Sequence, residues 1–182
     1  SADWRIGFEE NDLKYAEFTK YKKLLSPAKL TPTKKLIENL RVIKSAEELK
    51  KIEKAQIISQ KAFEKTLPTI KVGQTEQEIA LTLKSIIHSL GGEGLAFESI
   101  IASGPNSGIP HHITGSRRLT INDTLLFDFG AKYQNYCADF SRTIFIGPAS
   151  GQQRNTFNHV LTAQKKALAL IGHNSNSHEP FN

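Results

Sequence analysis

Cysteine is almost missing from these 182 residues; Cys137 stands alone. Disulfide frameworks need pairs, so a stapled secreted scaffold is excluded. Methionine is wholly absent, even at the start. Either the start has been processed or the chain is a piece of a longer protein. No apolar run approaches the roughly 20 residues that a membrane-spanning helix needs. Residues 1–20 have no apolar stretch of the kind a signal peptide requires. One free thiol without an export signal implies a reducing, cytoplasmic setting.

What is present is ordinary globular usage, with 38% apolar and 23% charged residues. That permits a packed core and excludes a collagen-like or wholly disordered chain. The length suits one domain, or one domain plus a fragment of another. The net charge is +6, from 24 Lys and Arg against 18 Asp and Glu. Its excess lies mainly in the first third, in runs such as Lys20 to Lys23 and Lys50 to Lys54. Glu47 and Lys51 stand at helical spacing, which suits a solvated helix surface better than a nucleic-acid interface. Neither nucleic acid nor membrane is expected as a partner.

Trp4, Ile6 and Phe8 alternate with polar or small residues, the period of a half-buried strand. Asp12 to Leu25 reads as a lysine-rich amphipathic helix. Ser26-Pro27 and Thr31-Pro32 read as punctuation in a linker. Residues 34–43 fit no single pattern. Ser45 and Glu48 form a capping-box pair, and Leu49, Ile52, Ala55, Ala62 and Phe63 follow at helical spacing. A long helix is therefore predicted as far as about Leu67, where Pro68 stops it. Thr75 and Glu78 repeat the capping box, and Ile79, Leu83, Ile86, Ile87 and Leu90 predict a second helix, closed by Gly91-Gly92. Phe97 to Ser103 reads as a buried strand, followed by a loop over 104–115. Thr124 to Gly130 and Tyr136 to Ile146 are β-rich and close enough to form a hairpin. Asn155 to Ile171 returns to helix, and 172–182 is a polar, irregular tail.

The hairpin carries the chemistry. Folded about a centre between Tyr133 and Gln134, it makes Asp128 and Asp139 direct cross-strand partners, with Cβ atoms roughly 4.5–5.5 Å apart. Leu125, Leu126, Phe127, Phe129, Ala138 and Phe140 surround them with apolar groups. Two facing carboxylates in such a setting are costly unless something offsets their charge. A shared proton or a cation serves, and paired carboxylates can bridge two metal ions about 3.5–4 Å apart. In the alternative, one aspartate points to solvent or meets Arg142. All-oxygen donors favour hard ions such as Mn²⁺. A second feature is Pro110-His111-His112 in the glycine-rich loop, where histidine serves as metal ligand, substrate donor or plain surface residue. His88 and His159 lie on predicted helices, and His173 and His178 in the tail; none is a site candidate.

As an ordered set, these residues resemble the pita-bread metallopeptidases, in the Xaa-Pro aminopeptidase and prolidase branch. The matching text is Ile101-Ala-Ser-Gly-Pro-Asn-Ser-Gly-Ile-Pro-His111, then Asn122-Asp-Thr-Leu-Leu-Phe-Asp128-Phe-Gly, then Tyr136-Cys-Ala-Asp139-Phe-Ser-Arg-Thr143. Upstream, Arg41 to Leu49 is similar to the entry of that catalytic domain, and Val72-Gly-Gln-Thr-Glu to its second helix start. The methionine aminopeptidase branch fits less well, because Pro110 precedes His111 here. Creatinase and the histone-chaperone relatives lack the metal site that Asp128 and Asp139 suggest.

The resemblance implies an α+β fold, the first half of a pita-bread domain with helices on a mostly antiparallel sheet. It implies residues 1–35 as the tail of a preceding domain, 36–171 as the half domain, and 172–182 as an irregular tail. It implies hydrolysis of an Xaa-Pro amide bond in a short peptide by a water bridging two divalent ions, most simply Mn²⁺, with Co²⁺ or Zn²⁺ as options. Asp128 is then the first aspartate ligand, Asp139 the bridging one, and His111 the histidine that contacts substrate; His112 suits that role less. The family's remaining ligands, one histidine and two glutamates, belong to a second half that this sequence does not contain, and His173, His178 and Glu179 are not assigned to it. Metal binding is accordingly expected to be weak and activity of this chain alone slight. A homo-oligomer or a separate second half is the expected partner. The rival expectation is a non-catalytic binding or oligomerisation module.

Overall fold

The structure is a computed structural model and describes residues 4–171. The expected tail, with His173, His178 and Glu179, lies outside the described residues. The chain divides into two units, Ser1–Leu49 and Lys50–Asn182.

In the first unit, strand β1 (Arg5–Glu9) is followed by helix α1 (Tyr15–Leu24), strand β2 (Lys29–Thr33) and helix α2 (Leu36–Val42). The expected alternation holds at Ile6 and Phe8, both half-buried while Arg5, Gly7 and Glu9 are exposed, but not at Trp4, which precedes the strand and is exposed. Phe8 meets Phe18 of α1 with ring centroids 5.2 Å apart. The supposed linker around Thr31-Pro32 is instead β2, parallel to β1, with Pro32 opposite Phe8. Proline withholds an N–H from a ladder, and it is tolerated here because a strand of a two-stranded sheet is always an edge.

The second unit is built on two helices whose starts the sequence marks. Helix α3 (Ala46–Thr66) begins in the first unit and carries the capping box: Ser45 N–H donates to Glu48 Oε2 at 2.7 Å, and Glu48 N–H donates to Ser45 Oγ at 3.3 Å. Helix α4 (Glu76–Ser89) repeats it through Thr75 and Glu78. Strand β3 is Gly94–Leu95 and β4 is Ile100–Ser103, shorter than expected, with Phe97 left partly exposed. Next come β5 (Thr124–Phe129), β6 (Ala131–Tyr133), β7 (Tyr136–Cys137) and β8 (Phe140–Phe145). Helix α5 (Gly151–Leu170) starts earlier than expected, because Ser150 and Gln153 form a third capping box.

Two three-stranded antiparallel sheets result, ordered β3-β6-β7 and β4-β5-β8. Leu125, Phe127 and Phe129 point from one face of β5 into a core with Ile58, Ala62 and Phe63 of α3 and Ile79, Leu83 and Ile87 of α4. Phe63 sits edge-on to Phe127 at 5.3 Å and tilted to Phe140 at 5.6 Å. Each such buried ring removes enough apolar surface to stabilise by roughly 1.5–3 kcal/mol. The opposite face of this sheet carries Thr124, Leu126 and Asp128, all only half-buried.

The hairpin turns through Gln134 (φ +46°) and Asn135 (φ +66°). Two successive positive φ values make a two-residue loop whose twist matches the flanking strands. Asn tolerates that region less well than Gly, so Asn135→Gly is expected to raise stability by about 0.5 kcal/mol. A urea midpoint that falls in this variant would contradict the turn.

Candidate active site

The turn's centre lies between Gln134 and Asn135, beyond the centre expected from sequence. That small shift slips the pairing by two residues. Asp128 stands opposite Ser141, and Phe129 opposite Phe140. Beyond them Lys132 pairs with Cys137 and Tyr133 with Tyr136. The same register sets Asp139 opposite Gly130, so the expected direct pairing of Asp128 with Asp139 is incorrect. A slip of two keeps both residues on one face, because side chains alternate with period two. A continuous ladder would make the aspartates diagonal neighbours, positions that lie roughly 7–8 Å apart, although Asp139 itself falls between β7 and β8.

Their surroundings also differ from expectation. Asp128 is half-buried and accepts a hydrogen bond from Ser141 Oγ at 3.2 Å, while Asp139 is exposed. Of the apolar neighbours that suggested a buried pair, Leu125, Phe127, Phe129 and Phe140 line the other face, in the core, while Leu126 shares the half-buried face of Asp128. Arg142 pairs with neither carboxylate: its guanidinium lies over the Phe140 ring at 4.1 Å and donates to the Ser141 carbonyl at 2.7 Å.

Asp139 sits where the ladder is interrupted. Gly130 O accepts from Ala96 N–H at 2.7 Å, and Ala131 N–H donates to Ser59 Oγ at 2.9 Å instead of pairing across the hairpin. The backbone of Ala138 presses so close to Gly130 that a Cβ there would run into its carbonyl. Two carboxylates on one open face, with a serine hydroxyl beside them, form an all-oxygen donor set suited to a hard divalent ion. Among the described residues, no group of three His, Cys, Asp or Glu side chains gathers as a metal cluster. The donor set fits part of a metal site, not a whole one.

The loop after β4 separates the two histidines. His111 is exposed, between exposed Ile109 and Ile113. His112 turns inward, and its Nε2 lies 2.8 Å from Glu76 Oε2. Glu76 is the residue that sequence reasoning missed, taken as one more polar position in a capping box. Its side chain is fully buried. It accepts hydrogen bonds from Ser103 N–H, Ser103 Oγ, Asn106 Nδ2 and Gly115 N–H. Burial raises its pKa, but this ring of donors outweighs burial and holds the carboxyl at about 2. The one available signal was Glu76 beside the cap of a helix that faces a polar loop.

An ion pair backs this cluster. Arg117 donates to both Asp123 oxygens, at 2.6 and 3.0 Å, and to Ser103 Oγ at 2.7 Å. The hydrogen bond with Asp123 is the main cause that raises the Arg117 pKa, while burial opposes it. Burial likewise opposes the net lowering of Asp123, which the hydrogen bonds from Arg117 and Thr120 bring about. Gly104, at φ +52°, leaves room for this pair; a Cβ would stand 2.5 Å from Arg117 Nη2 and 2.6 Å from Asp123 Oδ1.

Residues 50–179 match the family model described as metallopeptidase family M24. The chain belongs to that family. It is 36% identical over 167 residues to an uncharacterized peptidase of Bacillus subtilis, covering 92% of this chain and 47% of the relative. It is 36% identical over 159 residues to an Xaa-Pro dipeptidase of Pyrococcus horikoshii, covering 87% and 45%. The X-Pro aminopeptidase structure from Thermotoga maritima superposes with a TM-score of 0.87 at 34% identity, covering 92% of this chain and 47% of that one. This M24 chain thus spans about half the length of the relatives it matches. Its fold is α+β, the first half of a pita-bread domain, as the order of motifs implied.

Proposed function

We propose that this chain furnishes one half of the catalytic domain of a metal-dependent peptidase that hydrolyses an Xaa-Pro amide bond. What supports the proposal is the hairpin register, which sets Asp128 opposite Ser141, two residues from the exposed Asp139, in a member of a metallopeptidase family. The names of the Pyrococcus and Thermotoga relatives support the Xaa-Pro assignment. Residues 36–171 make up the half domain in this reading, and residues 1–35 the end of a preceding one.

Asp128 and Asp139 would hold divalent cations, Mn²⁺ first among them, with Asp139 shared between two. Such an ion, when bound, polarises a carbonyl and makes a nucleophile available at neutral pH. Ser141 Oγ, donating to Asp128, helps fix that carboxylate's rotamer and leaves its other oxygen free. His111, exposed between Ile109 and Ile113, offers ring nitrogens to the peptide carbonyl, and the two isoleucines offer apolar flanks to a prolyl ring. The lone thiol suits an enzyme of a reducing, cytoplasmic compartment. No helix among the described residues is long and apolar enough to cross a membrane.

With two carboxylates as protein ligands, Mn²⁺ is expected to bind weakly and Xaa-Pro dipeptides to be turned over slowly at most. Electron paramagnetic resonance of added Mn²⁺ checks this. Asp139→Ala is expected to lower affinity at least tenfold, and an affinity unchanged in that variant would remove the metal site. Ordinary turnover by this chain alone would contradict its role as half a site.

A second reading rests on α5, where Val160, Leu168 and Leu170 are exposed, with Ile171 just beyond its end. That face would be covered by a second copy or by a separate second half. A metal-free, discrete oligomer in light scattering would favour a non-catalytic module.

A further inference from the structure

Glu76 lies on the first turn of α4, remote in sequence from every residue given a role above. Its carboxylate gathers donors from both sides of His111. Oε1 accepts from Ser103 N–H at 2.8 Å, Ser103 Oγ at 2.7 Å and Asn106 Nδ2 at 3.0 Å. Oε2 accepts from Gly115 N–H at 3.1 Å and faces His112 Nε2 at 2.8 Å. The loop between these anchors opens with a short 3-10 turn, Gly104–Gly108, in which Ser107 Oγ donates to Gly104 O at 2.7 Å, and beyond it Ile109 N–H donates to Asn106 O at 3.0 Å and His112 N–H to Ile109 O at 3.2 Å. Thr114 Oγ1 ties the far end down by donating to Ser99 O and accepting from Ile101 N–H of β4. The His111 ring is held by its place on this loop, so its position in space is set by its neighbours.

We propose that Glu76 is a positioning residue, a buried clamp that closes the loop of residues 103–115 and thereby sets where the His111 imidazole stands. The inference rests on the reading above in one respect only, that the His111 ring serves a peptide. The chemistry requires a carboxylate. Every group around Glu76 that is not a histidine donates to it, and an ionised carboxylate is the one common side chain with acceptors alone. Because Glu76 cannot donate, His112 must carry its proton on Nε2. In the neutral ring, that tautomer leaves Nδ1 as the acceptor. Arg117 extends the clamp: it donates to Ser103 Oγ, which in turn donates to Glu76. Ser103 is thereby fixed as a donor toward the carboxylate.

Glu76→Gln separates the clamp from simple burial. The amide oxygen satisfies the three donors on the Ser103 side, and the NH₂ then confronts Gly115 N–H and His112. His112 can answer by moving its proton to Nδ1, whereas Gly115 N–H is orphaned. Long-range ¹H–¹⁵N spectra of the imidazoles in this chain, recorded without metal, read this out. The expected result is an Nε2–H tautomer for His112 in the wild type and an Nδ1–H tautomer in Glu76→Gln. The His111 ring signals should move with it. Amide exchange over residues 109–115 should accelerate at least tenfold while Leu125 and Phe127 keep their wild-type rates.

Unchanged His111 signals and loop exchange would overturn the proposal. Equal acceleration in loop and core would overturn it too, as the mark of a merely structural residue. Should Glu76→Gln fail to fold, Asn106→Ala removes a single donor and must still displace the His111 signals, to a smaller extent, or the clamp is refuted. Titration with the dipeptide Ala-Pro distinguishes the underlying reading. If the tautomer and exchange results hold but Ala-Pro leaves the His111 ring unmoved at millimolar concentrations, the peptide role falls while the clamp stands.

Discussion

Gly130→Ala is expected to disrupt the hairpin more than any other single methyl added to the chain. A Cβ at this position runs into the carbonyl group of Ala138 and stands 3.1 Å from Ala96 Cβ. The obstacle is backbone, not the tip of a flexible side chain, so no rotamer change relieves it. The two halves of the hairpin must move apart at the point where Ala131 N–H is held by Ser59 and Gly130 O by Ala96. Overpacking typically costs about 1–3 kcal/mol, and this contact belongs at the upper end or beyond. The displaced residue is the one before Asp139, so metal affinity should fall together with stability. Urea unfolding measures the first effect and Mn²⁺ titration the second. A variant within about 0.5 kcal/mol of the wild type, with Mn²⁺ affinity intact, would show that the strands are not packed as described.

Acid is expected to have the second large effect. Glu76 titrates at about 2 in the folded chain, against 4.5 for an ordinary glutamate. A group whose pKa is lower in the folded state adds stability above its unfolded pKa. That contribution disappears as pH falls through the folded value. The window is therefore about pH 4.5 down to 2, and the loss is on the order of 3 kcal/mol. His112, Asn106, Ser103 and Gly115 donate to the carboxylate, and the Arg117 charge lies close by. Asp123, also lowered by its partners, adds to the loss in the same direction. Thermal melts at about pH 6 and pH 3, on either side of the upper end of that window, should differ markedly in the wild type and much less in Glu76→Gln. An equal acid sensitivity in both would remove Glu76 as its source.

Much of the fold was legible because its signals are local. The capping boxes at Ser45 and Thr75 satisfy their own helix ends within four residues, so they mark α3 and α4 whatever lies around them. Periodicity at Ile79, Leu83 and Ile87 named the buried face of α4 for the same reason. The hairpin's existence was equally plain from two β-rich runs around a short polar link. Its register was not. Register depends on which two residues take positive φ, and Gln134-Asn135 is a weaker turn signal than Asn-Gly. The Tyr133 and Tyr136 pair flanking it could have fixed the centre. β2 was misread because proline at position 32 argues against a strand in general, and only its place at an edge permits one.

The sequence by itself carried the resemblance to the family, the starts of α3 and α4 and the existence of the hairpin, and it singled out the acidic pair and the loop histidine as candidates. These follow from residue types and short spacings, which chain connectivity preserves. Only the tertiary structure decided that Asp128 stands opposite Ser141 and not Asp139, that His112 turns inward while His111 stays out, and that Glu76 gathers donors from both ends of their loop. Each of these depends on groups brought together from distant positions; Glu76 and Gly115 are 39 residues apart. No local pattern encodes which donors will surround a buried carboxylate, because burial and hydrogen-bond partners are settled by packing.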